Sequence, residues 1–315
     1  MTNRAIIRDQ DLIRSAFSGW SAAYGAMTAP SAVRVIADIV FDWSSIAGAM
    51  LLLHRFGWGL APAAVAWMGN RQRALGNLLH DAAHRNLATS PQLNDILAGL
   101  LIAPSLFNSL AVYRESHARH HAWLGDPQAD PDYIDIDPAP GDRWWRPYVG
   151  VLLARRTWAD SVFGHLHSEK ATVSRKAGII VWWTAVLFAV TLLAGLHAAV
   201  GFIGLWVLAR ATVFHAITTF RELCDHFGRR PGGVFNYTRD VSSRSIWNRI
   251  IHPRNNGYHL THHLVPSVPY HRLPDAQRRL LELPSFAQAA RICRSYFSGP
   301  DAVVREWESQ AGEQK

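Results

Sequence analysis

At 315 residues the chain has room for one large domain or two, and 49% of it is hydrophobic, with 13 tryptophans. Its formal charge of +8 raises nucleic acid as a partner, but no recognition module or aromatic-basic platform is present, and that class is set aside. Two cysteines in no paired motif, Cys224 and Cys293, suit a reducing compartment and argue against a disulfide scaffold. Mean hydropathy is only −0.02, so any membrane spans must be concentrated in segments.

Residues 1–34 read as a polar cytoplasmic lead-in. Arg4, Arg8 and Arg14 are not followed by the apolar core of a cleaved signal peptide. Asp11 to Trp20 is expected to be an amphipathic helix lying at the membrane interface. An apolar zone from Val35 to Asn70, broken by Asp38, Asp42, His54 and Arg55, reads as a hairpin turning near His54 to Gly59. Val35 to Leu53 is the first candidate span. A charge at the bilayer centre costs about 2.5–3.5 kcal/mol on insertion scales, so Asp38 and Asp42 belong near an interface or face the bundle. Trp58 to His84 reads as one helix, apolar at first and polar from Arg71. At about 1.5 Å per residue its polar tail reaches roughly 20 Å beyond the apolar part, which puts His80 and His84 outside the bilayer.

After Pro91, Leu93 to Leu110 is apolar but short and interrupted by Pro104, the pattern of a re-entrant or interface-lying segment. Tyr113 to Trp123 has a helical pattern and ends at Gly125-Asp126-Pro127, which opens an acidic, proline-rich loop to Asp142. Arg143 to Lys176 is amphipathic, with Trp144, Trp145 and Trp158 as interface anchors. Ala177 to Ala209 contains no Asp, Glu, Lys or Arg. It is long enough for two short spans, approximately Ile179 to Leu193 and Val200 to Thr219. The second continues as a polar helix through Arg221, Glu222, Asp225 and His226 to Gly228. Ser245 to His271 is closed by Pro266 and Pro269, and Leu273 to Lys315 reads as a polar helical tail. The expected architecture is all-α and integral to the membrane, with about four transmembrane helices in two hairpins and a helical cap. The basic segments and both termini face the cytoplasm by the positive-inside rule.

Eight of the 16 histidines fall in three tight groups: His80 and His84; His117, His120 and His121; His259, His262 and His263. Positions i, i+3 and i+4 share one face of a helix, so three imidazoles can converge to hold one metal ion or bridge two. Imidazole suits iron, zinc, copper and nickel. Eight or nine rings are too many for one ion; two ions would take four or five each and leave room for dioxygen or substrate. A closed structural zinc site would use cysteine. A zinc protease would need glutamate after the first histidine, where Asp81 stands. The Glu and Glu-x-x-His pattern of ferritin-like di-iron proteins is also missing. Asp81, Glu115 and Asp225 adjoin these histidines or their helices and are candidates to orient ligand rings.

The three boxes, His80 to His84, His117 to His121 and His259 to His263, resemble those of the membrane fatty acid desaturase family. So do their spacing and the flanks Gly125-Asp126-Pro127, Asp130-Pro131-Asp132 and Tyr258 to Pro266. The resemblance covers about residues 35–274, the core of what reads as a single domain over 1–315. It implies four spans and a cytoplasmic cap holding two non-haem irons through histidines alone. It further implies a ninth ligand on the helix after the fourth span, a place matched by His226. Glu222, one turn before it, takes the position of a polar group that contacts iron through water. Asn255, one turn before His259, stands where the family often has asparagine.

The implied activity is dioxygen-dependent desaturation of an unactivated C–C bond, most readily in a fatty acyl chain of a membrane lipid. Hydroxylases and ketolases acting on a lipid, terpenoid, small amine or amino-acid derivative share the boxes. A histidine-rich membrane metal-handling protein is the reading from another class; it would carry its ligands at mid-bilayer. The chain has no haem domain, flavin fingerprint or iron–sulfur cysteine set. Arg230-Pro231-Gly232-Gly233 resembles a haem-ligating His-Pro-Gly-Gly but lacks the histidine. An external ferredoxin, rubredoxin or cytochrome, with its reductase, must therefore supply electrons. The expected location is the inner (cytoplasmic) membrane, with the active site on the cytoplasmic side.

Overall fold

The computed structural model describes residues 4–16, 20–136 and 143–309, so part of the proline-rich loop before Arg143 and the last residues lie outside it. The described residues are mostly helical. Helix α1 (Arg4–Ala16) and α2 (Trp20–Met27) precede α3 (Ala32–Phe56). Ser31 caps α3 by accepting the Arg34 N–H, and Gly57, at φ 92°, ends it. The chain turns back through a short 3-10 segment into α4 (Ala61–Ala83), whose second residue is a proline, favourable in a first turn. Next come α5 (Pro91–Leu101) and α6 (Leu110–Ala122). The apolar stretch expected to re-enter or lie at the interface is thus α5 and a 3-10 turn at Pro104–Leu106, closed by Phe107 in the left-handed region. The amphipathic stretch forms α7 (Trp145–Leu152) and α8 (Arg155–Phe163).

Helix α9 (Val173–Ala194) is capped by Thr172 and stopped by Gly195. Helix α10 (Leu196–Ala209) passes through a π-helical turn, Arg210–Phe214, into α11 (His215–His226). Gly69 lets α4 approach that turn: a Cβ there would meet Val213 at 2.6 Å. Among the described residues, three helical stretches are long and apolar enough to cross a membrane: Tyr24–Phe56, Val173–Ala194 and Leu196–His226. Their outer faces carry exposed Val40, Phe41, Leu51, Ile180, Phe188 and Leu193.

The remainder is built of short pieces: α12 (Val234–Tyr237), β1 (Asp240–Val241), α13 (Ile246–Ile251), α14 (His259–Leu264), α15 (Leu273–Leu280), α16 (Pro284–Ala289), β2 (Ile292–Cys293) and α17 (Val303–Ser309). The strands pair in parallel, a small departure from an all-α expectation. The expected polar tail is also corrected. On α15, Leu273, Ala276, Gln277 and Leu280 form a buried stripe at helical spacing, and Phe286, Tyr296 and Trp307 are buried further on. Helix α1 packs on the cap: it buries Ile6 and Ile13, and the Gln10 amide donates to the His263 carbonyl at 2.9 Å. Of the stretch Asp11 to Trp20 expected at the interface, residues 17–19 lie outside the described residues.

The two aspartates inside the apolar zone face the bundle, whereas Arg55 is exposed at the hairpin tip. Asp42 is fully buried and paired with Arg71 (3.2 Å) and Arg254. Arg254 also pairs with Asp38 (2.7 Å), which receives the Tyr270 hydroxyl. These contacts tie α3 to the segment just before α14, so one buried ionic network joins the first apolar helix to the third histidine box.

Candidate metal centre

The histidines stand at helix ends where the apolar elements give way to the cap. His80 closes the last turn of α4 and His84 is its C-cap. His117, His120 and His121 lie on α6, His226 ends α11, and His259, His262 and His263 lie on α14. The backbone before α14 is not helical: Arg254 and Asn255 both have φ 59°. Tertiary packing, not one continuous helix, delivers the third box.

The nine rings sort into two groups. His80, His84, His117, His121 and His262 form one; His120, His226, His259 and His263 form the other. Within each, one ligating atom per residue lies within 4.8 Å of all the rest. Ring nitrogens face one another. Nε2 of His117 is 2.8 Å from that of His84 and 3.1 Å from that of His121, which is 3.1 Å from that of His262. Nε2 of His259 is 3.0 Å from that of His226 and 3.1 Å from that of His263. Two nitrogens each about 2.1 Å from one ion and at right angles would stand about 3.0 Å apart. The Nε2 of His80 is buried with no hydrogen-bond partner among the described residues. An all-nitrogen donor set of this spacing fits a transition metal in each group and does not suit magnesium or calcium.

A ligand imidazole must be neutral. Burial pushes His84 down to about 4 and His117, His121, His259, His262 and His263 well below the ordinary histidine value. His120 is the exception. Burial lowers it, but the hydrogen bond to Asp130 and the nearby Asp132 outweigh that and raise it.

The second nitrogens are held unequally. His120 Nδ1 donates to Asp130 Oδ1 at 2.8 Å, and Asp130 is itself fixed by the amides of Gly125 (2.8 Å) and Asp132 (2.9 Å). Burial would raise the Asp130 carboxyl; His120 and these amides hold it below its usual value. His226 Nδ1 donates to the Tyr237 carbonyl at 3.2 Å. Asp225 lies 3.6 Å from His259 Nδ1 and is bonded to Arg221 (2.8 Å) and His252 (3.1 Å).

The other expected orienting residues stand elsewhere. Asp81 lies 3.9 Å from His80 Nδ1, too far for a hydrogen bond, and instead accepts the Tyr270 amide at 2.8 Å. Glu222 is half-buried and bonded to Arg221. Asn255 donates to the Tyr270 carbonyl at 3.1 Å, because the left-handed break removes it from the His259 helix. Glu115 is exposed, two positions before His117 and so on the opposite side of α6. Asp130 stands in the sequence as part of the Asp130-Pro131-Asp132 flank, and the acidic loop that follows the second box is the signal that could have found it. His215, inside a candidate span, is a satisfied structural residue between Ser161 Oγ and the Leu152 carbonyl, each at 2.8 Å.

Fold and site together define a class: helices apolar and long enough to cross a membrane, capped by an all-histidine centre compatible with metal binding. Comparison with known proteins is more specific. The family model described as fatty acid desaturase matches residues 16–295. The dihydrorhizobitoxine desaturase of Bradyrhizobium elkanii is 32% identical over 273 residues, 80% of this chain and 76% of that protein. The chloroplastic sn-2 acyl-lipid omega-3 desaturase (ferredoxin) of Arabidopsis thaliana is 26% identical over 278 residues, 77% of this chain and 59% of that protein. A chloroplastic omega-3 fatty acid desaturase of Sesamum indicum is 26% identical over 236 residues, 64% and 51% of the two chains. The chain belongs to the fatty acid desaturase family and is a desaturase-type oxidoreductase.

Proposed function

We propose that the nine histidines hold two non-haem irons, five to one and four to the other, and that the enzyme uses dioxygen to desaturate a C–C bond. The observation that carries this is the sorting of rings from four chain segments into two nitrogen-only groups. When bound, the irons supply the dioxygen chemistry that removes two hydrogens from adjacent carbons. The protein's own work is placement. Asp130 and the Tyr237 carbonyl fix the planes of His120 and His226. Burial keeps most of the rings neutral, with a lone pair to offer. The balance is two hydrogens from the substrate, two electrons from a donor protein and two protons from solvent, turning one dioxygen into two waters.

The proposed topology is four spans in two hairpins, with α4 as the fourth beside the three more apolar stretches. It forms a single domain in the inner membrane with the cap on the cytoplasmic side. The exposed His54 and His197 mark the opposite hairpin tips, which carry only Arg55. An external ferredoxin, rubredoxin or cytochrome supplies electrons. A fatty acyl chain is the substrate that the family and the plant relatives favour. A small, non-acyl substrate is the second reading. It is favoured by the greater identity, over more of both chains, to the relative named for dihydrorhizobitoxine.

The test is metal content and dioxygen uptake of detergent-purified protein with NADPH, reductase and ferredoxin, beside His120→Ala and His262→Ala. Two irons per chain with reductant- and histidine-dependent uptake are expected. Zinc with no uptake would overturn the reading. Mass spectrometry of lipids and polar metabolites then separates the two substrates by the species that loses two mass units.

A further inference from the structure

The desaturase reading requires electrons from outside, since the only cysteines, Cys224 and Cys293, are buried singly and form no cluster-binding set. One route of side chains leads from the histidine centre to the surface. Asp225 Oδ2 is 3.6 Å from His259 Nδ1, and its Oδ1 is 3.1 Å from His252 Nε2. The other nitrogen of His252 is hydrogen-bonded to the Tyr296 hydroxyl at 2.7 Å, and the two rings stack at 5.7 Å. Tyr296 also bonds Asn248 (2.9 Å) and meets the Phe297 ring at 6.2 Å. Phe297 meets Trp247 at 5.1 Å. Asp225, His252 and Tyr296 are almost wholly buried, whereas Phe297 and Trp247 are 37% and 46% exposed.

The outer end is therefore an aromatic patch, with Ile246 beside it at 61% exposure. Arg244, Arg249 and Arg294 flank it in sequence. All three are exposed, and none pairs with a carboxylate among the described residues. An apolar centre with an unpaired basic surround is complementary to an acidic protein face. A lipid surface could also cover it, but a lipid anchor needs no contact chain to the catalytic centre.

We propose that the Trp247–Phe297 patch is the docking site of an acidic one-electron donor, an iron–sulfur protein of ferredoxin type, and that Tyr296, His252 and Asp225 carry its electrons inward to the histidine centre at His259. This rests on the desaturase reading. Each turnover draws two electrons through the route, one from each of two reduced donors, which leave oxidised. The two protons come from solvent.

The probe is a purified acidic [2Fe–2S] ferredoxin, and its Kd is measured on the full chain with and without iron. Reversing Arg244, Arg249 and Arg294 together to glutamate should weaken binding at least tenfold while iron content and Tm hold. An unchanged Kd overturns the docking site. A brominated-lipid quenching signal that falls in Trp247→Phe would identify lipid as the cover and overturns it as well. Tyr296→Phe keeps the ring and removes the bond to His252. At saturating ferredoxin it should slow anaerobic oxidation of the reduced donor several-fold, with Kd and iron content unchanged; an unchanged rate overturns the conduit. Failure of the desaturase reading itself looks different: wild-type protein would bind no iron.

Discussion

The two histidine groups are built by the same rule run in opposite directions. In the first, α4 supplies the i, i+4 pair His80 and His84, α6 supplies the pair His117 and His121, and α14 lends the single ring His262. In the second, α14 supplies the pair His259 and His263, α6 lends His120, and α11 supplies only His226. Residues four apart on a helix share a face and their i+3 neighbour leans to one side, so one box serves two centres. The groups differ in what stands behind the rings. The second is buried throughout and braced by Asp130 and the Tyr237 carbonyl, while His84 and His121 leave the first partly open. The comparison makes the second group the rigid one and the first the accessible one.

Removing a ring tests this most severely. His121→Ala and His263→Ala cut one group each and should both drop turnover to background. Iron per chain should fall from two toward one, each variant losing the metal of its own group. Loss of both metals from either variant would mean that the groups act as one site. Timed chelation of wild-type protein is the gentler version. Iron should leave in two phases, and the slow phase should survive His121→Ala but vanish in His263→Ala.

Asp130→Ala comes next. It leaves His120 Nδ1 unheld and should weaken metal affinity of the second group about 10- to 100-fold, with the first group unchanged. Titration with ferrous ion under anaerobic conditions reads both affinities. Gly125→Ala attacks the same brace from behind. Gly125 has φ 76°, and an added Cβ would lie 2.7 Å from the Tyr237 ring, whose residue holds His226 through its carbonyl. A cost of about 1–3 kcal/mol is expected from the backbone conformation alone, read as a lower Tm.

The rings were legible in the sequence because i, i+3 and i+4 spacing is a local property. Their partition was not. His120 and His121 are neighbours in sequence yet serve different groups, and only the packing of α4, α6, α11 and α14 decides which faces meet. The apolar helices were legible by length. The C-terminal segment reads as polar because its buried stripe, Leu273, Ala276, Gln277 and Leu280, includes a polar residue and lies among charges such as Arg278 and Arg279. Asn255 stands off the His259 helix because Arg254 and Asn255 break it in the left-handed region; Pro253 and Asn256-Gly257 are the local turn signal for that break, while the ion pairs of Arg254 with Asp38 and Asp42 are visible only in the packing.

The smallest predicted effect is the most discriminating about carboxylates. Glu115 lies near His117 in sequence and Asp130 is ten residues from His120, yet only Asp130 reaches a ring. Two steps along a helix rotate a side chain by about 200°, so Glu115 faces solvent while His117 faces the centre. Glu115→Ala should therefore leave both iron affinities unchanged and shift stability by no more than about 0.5 kcal/mol. A tenfold loss of iron affinity in that variant would show that sequence proximity, not the face of α6, governs which carboxylates support the centre, and would undo the contrast drawn between the braced group and the open one.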